Sequence, residues 1–134
     1  NIGSERKLGY DCLGDPVSVA ARLESQTKSY GVLLIVGPDT VAQTKDDFDW
    51  WELDNIAVKG KTEPLRIYAV HKTTLEHEEF LVNYYNGTWN WCLDNYNKCA
   101  FAAPKMAGYY EKMIERMRQG KPNTWDGIYR ATSK

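Results

Sequence analysis

Arg22 stands four residues after Ser18, within a stretch that reads YDCLGDPVSVAARLE from Tyr10 to Glu24. On a helix that spacing sets the two side chains about 40° apart and one turn from each other. A guanidinium and a hydroxyl so placed can form half of a nucleotide site whose other half lies outside this chain. A solvated arginine beside a helix-start serine accounts for the same pattern, because arginines on protein surfaces are ordinary.

The elements that must carry this pair are readable. A short strand is expected over Lys7–Leu13, broken by Gly14. Asp15 supplies a capping oxygen, and Pro16 fits the first helical position, where a missing N–H costs nothing. The helix runs to about Tyr30, and Gly31 ends it. Val19, Ala20, Leu23, Thr27 and Tyr30 fall within an arc about 100° wide, the face toward a core. Ser18 and Arg22 lie on a flank roughly 120° from the middle of that arc.

Further on, Val32–Val36 is a continuous apolar run rich in β-branched residues, expected as a buried strand. Pro38-Asp39 opens a short helix that reaches about Lys45. Phe48–Val58 alternates loosely around Trp50 and Trp51, as a strand or strand pair does. Lys59-Gly60-Lys61 reads as a turn, and Leu65–Val70 as a final strand. The order is that of an α+β layer whose helix packs one face on a sheet. Taken by themselves, Lys59 is a polar turn residue and Asp11 a carboxylate at a strand end.

Composition sets bounds on the function. The chain has 134 residues, 17 Lys and Arg against 18 Asp and Glu, and a net charge of −1. That balance excludes a non-specific nucleic-acid binder, which needs a basic footprint. No run approaches the roughly 20 apolar residues of a membrane span. The opening Asn1-Ile2-Gly3-Ser4 has no Met and no apolar leader, so a piece of a longer protein is expected. Cys12, Cys92 and Cys99 are odd in number and do not form a disulfide framework, and no Cys/His cluster has zinc spacing. A reducing, cytoplasmic setting follows. Asn86-Gly87-Thr88 matches a glycosylation sequon, but an Asn-Gly turn with Thr88 as the next helix cap explains it equally.

Two stretches carry a family resemblance. NIGSERKLGYDCLGDPVSVAARLE resembles the second half of class III nucleotidyl cyclase catalytic domains. There Gly-Ser is followed by Tyr-Thr or Tyr-Asp, and then by Gly-Asp-x-Val-Asn-x-Ala-x-Arg-Leu-Glu. LDNIAVKGKTEPLRIYAV, residues 53–70, resembles the closing strands of the same domains with their Val-Lys-Gly-Lys turn. The resemblance covers residues 1 to about 71. It implies a ferredoxin-like βαββαβ core, head-to-tail pairing of two domains, and active sites at their interface. It implies cyclisation of ATP to cyclic AMP and pyrophosphate for intracellular signalling. Arg22 matches the arginine that stabilises the transition state, and Lys59 the lysine that reaches the terminal phosphates. Asp11 falls at the base-reading position, where a carboxylate accepts from the adenine amino group and repels the guanine carbonyl. Ser18 departs from the pattern, because the family has an asparagine there to orient the ribose. The family's two metal-binding aspartates belong upstream of Asn1, so Mg²⁺ or Mn²⁺ is expected on a missing N-terminal half. The metal positions are matched by none of this chain's carboxylates, Asp15, Glu24 and Asp54 among them. The chain alone is then expected to be inactive and to work as a homodimer through its cyclase part. A guanylate cyclase, a cyclase-homology module that has lost turnover, and a pure interaction protein remain as alternatives.

Residues 73–134 lie outside that match. The spacing of Cys92, Tyr96, Cys99 and Pro104 resembles the second helix of a tetratricopeptide unit, while a first helix over about Leu75–Asn86 fits that pattern poorly. Met106, Tyr109, Tyr110, Met113, Ile114 and Met117 form a further helical stripe of core character. The segment also resembles the helical C-terminal extensions of bacterial membrane-anchored adenylate cyclases. It is expected to be a packing or dimer-supporting appendage without direct membrane contact. The expected architecture is thus α+β: a partial ferredoxin-like cyclase domain over residues 1–72 and a small helical, tetratricopeptide-like extension over 73–134.

Overall fold

The computed structural model describes residues 23–24, 26–57 and 63–130. The expected strand Lys7–Leu13, the helix start at Asp15-Pro16 and the turn Lys59-Gly60-Lys61 lie outside these residues. The elements in chain order are α1 (Thr27–Tyr30), α2 (Pro38–Thr44), β1 (Trp50–Ala57), β2 (Pro64–Val70), α3 (Leu75–Asn86), α4 (Trp89–Ala102) and α5 (Ala107–Arg118). A single 3₁₀ turn, Pro104–Met106, precedes α5, and a two-residue strand β3 (Tyr129–Arg130) follows it.

The helix expected to run unbroken to Tyr30 is interrupted. Leu23 and Glu24 are helical, but Gln26 is a turn residue, and α1 starts again at Thr27. Thr27 contributes to the break, because its hydroxyl donates back to the Glu24 carbonyl at 2.9 Å. Gly31 ends α1 as expected, with φ of 68°. Its lack of a side chain has a second use. A Cβ there would sit 3.1 Å from the backbone carbonyl group of Gly108, in the first turn of α5.

The apolar run Val32–Val36 is not a strand. Among the described residues only its Val36 finds a partner, exchanging two 2.9 Å hydrogen bonds with Tyr68 of β2. Ile35 is buried, whereas Leu33 and Leu34 are exposed. Apolar β-branched content favours a strand only where a ladder partner and a covering layer exist, and among the described residues neither reaches Leu33 or Leu34.

The sheet has the order β2-β1-β3. β1 and β2 are antiparallel from Trp50 opposite Val70 to Ala57 opposite Pro64, with a register shift between Glu52 and Asp54. β3 joins the other edge of β1 in parallel, Ile56 beside Tyr129 and Ala57 beside Arg130. The shift explains why the alternation in β1 is only loose. Trp51 and Leu53 point inward, and then Asp54 and Ile56 do, because one extra residue resets the phase of the strand.

The helices from Leu75 onward pack on this sheet. α3 starts cleanly: Thr74 accepts from the His77 N–H at 3.0 Å, and Glu76 and Glu78 lie in the first turn, where negative charge is favoured. It ends at Gly87 with φ of 86°. The Thr88 N–H donates to Asn83 and the Gly87 N–H to Tyr84, a Schellman closure. Thr88 is not the side-chain cap expected of it. Its hydroxyl turns back to the Asn83 carbonyl at 3.0 Å and leaves α4 without a side-chain cap. The expected stripe on α5 is buried at all its positions from Met106 to Met117. The sheet and these helices share one core of α+β class.

His77 sits at its centre. Its ring lies 3.7 Å from that of Trp51, stacked at 14°. Nε2 is 2.7 Å from the Glu52 carbonyl, and Nδ1 is 2.8 Å from the Tyr110 hydroxyl. A carbonyl can only accept, so Nε2 carries the proton and Nδ1 accepts from Tyr110. Burial of this neutral ring lowers its pKa from 6.5 to about 4. The unfolded chain therefore binds the proton first as pH falls. Stability is full above 6.5 and drops between 6.5 and 4, by up to about 3 kcal/mol. Urea unfolding at stepped pH should show this loss, and His77→Gln, which keeps one donor and one acceptor, should flatten it. An equal loss in both proteins would assign the acid sensitivity elsewhere.

Candidate functional site

Arg22, Ser18, Asp11 and Lys59, the residues singled out from sequence, all lie outside the described residues. Their immediate neighbours do not. Leu23 and Tyr30, two members of the expected core arc, are buried. Ala57 and Pro64, which flank the segment holding Lys59, face each other across the hairpin.

The polar centre of the described structure is Asp54, fully buried and turned inward by the register shift. The Tyr30 hydroxyl donates to its Oδ2 at 2.7 Å, and the Tyr84 hydroxyl to its Oδ1 at 2.8 Å. The Asn55 N–H donates to Oδ1 at 2.7 Å. Arg116 Nη1 reaches both Oδ2 of Asp54 and the Tyr84 hydroxyl at 2.9 Å. The guanidinium also lies 3.6 Å from the ring centroid of Tyr129 and 5.2 Å from that of Tyr30. A buried charge requires this density of partners, since an unpaired ion in the interior is costly. The cluster ties α1, β1, α3, α5 and β3 to one carboxylate.

This arrangement holds structure and is not suited to proton transfer. Burial first, and then the Asp54 charge, push the Tyr30 and Tyr84 hydroxyls well above the usual tyrosine range, so both remain donors. Burial raises the thiols of Cys92 to about 12 and Cys99 to about 11. Both are free and buried, hence protonated and poor nucleophiles. Among the described residues no group of three or more His, Cys, Asp or Glu side chains could hold a metal ion. No helix among them is long and apolar enough to cross a membrane.

Sequence reasoning missed Asp54, Arg116 and His77 as organising residues. The signal for Asp54 was present: a carboxylate next to Leu53 in a strand whose apolar residues change phase. For Arg116 there was none, because an arginine among the Met and Tyr of a helical stripe reads as its solvent edge.

No family model matches the chain, and no solved structure does. Adenylate cyclase 1 of Rhizobium meliloti (strain 1021) is 37% identical over 70 residues, which is 52% of this chain and 10% of that protein. The terminal-differentiation-specific adenylate cyclase of Dictyostelium discoideum is 27% identical over 129 residues, 90% of this chain and 6% of the relative. An uncharacterised protein of Mycobacterium tuberculosis (strain CDC 1551 / Oshkosh) is 28% identical over 88 residues, 59% of this chain and 16% of the relative. The chain thus spans a small part of the curated relatives it matches. The similarity supports a relationship to adenylate cyclases.

The cluster's weight is open to measurement. Asp54→Ala leaves Arg116, Tyr30 and Tyr84 without their acceptor and should cost about 3–5 kcal/mol in chemical denaturation. A loss under about 1 kcal/mol would mean that water replaces the carboxylate at no net cost.

Proposed function

We propose that this chain is the C-terminal half of an ATP-cyclising catalytic domain, followed by helices that brace its closing hairpin. The observation that carries the reading is the ordered pair of motifs, at residues 1–24 and 53–70, together with 37% identity over 70 residues to an adenylate cyclase. In the reaction the ribose 3′-oxygen attacks the α-phosphorus and a new P–O bond forms. The bond from that phosphorus to the bridging oxygen breaks, and pyrophosphate leaves. Negative charge builds on the phosphoryl and leaving-group oxygens. Arg22, whose guanidinium offers forked donors, is suited to stabilise that charge. Lys59 places a point charge at the terminal phosphates, Asp11 accepts from the adenine amino group, and Ser18 orients the ribose with a shorter reach than the family's asparagine.

Divalent metal, Mg²⁺ or Mn²⁺, supplies charge neutralisation and activates the 3′-hydroxyl. The described residues offer no site for it. In this reading the carboxylates that hold it stand upstream, and a second copy of the domain completes the site head to tail. The reading places the chain in the cytoplasm as part of an intracellular signalling enzyme. Ser18 is the one observation that favours the second reading, a cyclase-homology module that binds nucleotide without turnover.

Arg22→Ala in the full-length protein should lower kcat by about 10²-fold or more while leaving Tm nearly unchanged, as for loss of one preorganised donor. An unaltered kcat would remove Arg22 from the reaction, and a wild-type protein without cyclic AMP production would favour the second reading. Asp11 should make ATP the preferred substrate. Measured kcat/KM values for ATP and GTP decide this, and a preference for GTP would reassign the carboxylate.

A further inference from the structure

Beyond α5 the chain folds back on itself. Trp125 comes to 5.0 Å from Trp89 at the start of α4. Its indole N–H donates to the Tyr84 and Tyr85 carbonyls at 3.1 Å, at the end of α3. Between this returning strap and the helices is a pocket of about 380 Å³. That volume lies within the roughly 300–1,000 Å³ of small-molecule sites.

The lining is chemically uneven. Trp89, Trp125 and Tyr129 supply aromatic surface, Arg116 and Arg130 supply guanidinium groups, and among the described residues no acidic side chain lines the pocket. Arg116 is 16% exposed and spends Nη1 on Asp54 and Tyr84. Its other nitrogens have no hydrogen bond to any described residue. Arg130 holds Asp126 at 2.9 and 3.0 Å. That pair is half exposed, and a pair of this kind is worth little, so its guanidinium can be exchanged onto a ligand. Indole and phenol faces hold flat rings, and guanidinium forks match carboxylate and phosphate oxygens.

We propose that this pocket binds a small planar aromatic molecule carrying one anionic oxygen group. An aromatic carboxylate and a mononucleotide both have that chemistry. The proposal does not depend on the cyclase reading.

The test is titration of the full-length protein with 8-anilinonaphthalene-1-sulfonate, followed by dye emission and tryptophan quenching. The dye should bind with a micromolar Kd. Thr124→Trp fills the pocket from an exposed position and should weaken binding by about tenfold or more. Arg130→Ala should weaken it by about 3- to 10-fold. Both variants should keep the wild-type Tm. Leu33→Ser and Phe101→Ser, at exposed apolar positions outside the pocket, should leave binding unchanged. Displacement of the dye by cyclic AMP assigns the anion to a mononucleotide, and displacement by indole-3-acetate assigns it to a carboxylate. Displacement by neither overturns the ligand class. Dye binding that survives Thr124→Trp, or is lost in Leu33→Ser, overturns the site.

Discussion

The register shift in β1 is the constraint on which the rest of the structure depends. One extra residue between Glu52 and Asp54 turns a carboxylate from the solvent face to the core. A shift also disturbs the ladder and leaves backbone groups in need of partners. The Glu52 carbonyl takes His77, and the Leu53 carbonyl takes the Tyr109 hydroxyl at 2.7 Å. Asp54 takes Tyr30, Tyr84 and Arg116. Three helices are thereby held to three consecutive residues of one strand. A sheet of this size has little independent stability, and the helices supply the cover it lacks.

That dependence gives the helices after Leu75 a definite physical role. They bury one face of the hairpin formed by β1 and β2, and β3 adds a strand at Ile56 and Ala57, next to the segment that carries Lys59. The cyclase relative from Dictyostelium discoideum aligns over 90% of the chain. That alignment extends into the helical part. In the proposed enzyme this division leaves scaffolding to the buried tyrosines, Asp54 and Arg116. The proposed chemistry falls to Arg22, which precedes this hairpin in sequence, and to Lys59, which lies between its two strands in sequence.

Electrostatics reinforces the division. Burial is the first cause of the shifts of His77, Cys92, Cys99, Tyr30 and Tyr84, and it holds each of them in its uncharged form. His77 is neutral between a carbonyl and a hydroxyl. Such groups rigidify a core and take no part in proton transfer with a solvent-exposed substrate.

Much of the local structure was legible in the sequence by itself. Gly31 and Gly87 stop helices because only glycine takes the left-handed conformation cheaply. Pro38 starts one, Leu65–Val70 reads as a strand, and the stripe from Met106 to Met117 is a core face. These are short-range matters of dihedral preference and periodicity. The motifs that point to a nucleotide site are likewise a property of residue order. Only the tertiary structure decided that Val32–Val36 forms no strand, because pairing needs partners distant in sequence. It decided as well that Asp54 is an internal ion, that Arg116 answers it from 62 residues away, and that His77 is a buried neutral acceptor. None of these follows from local pattern, because a carboxylate's environment is set by what packs against it, and that is a property of the folded chain.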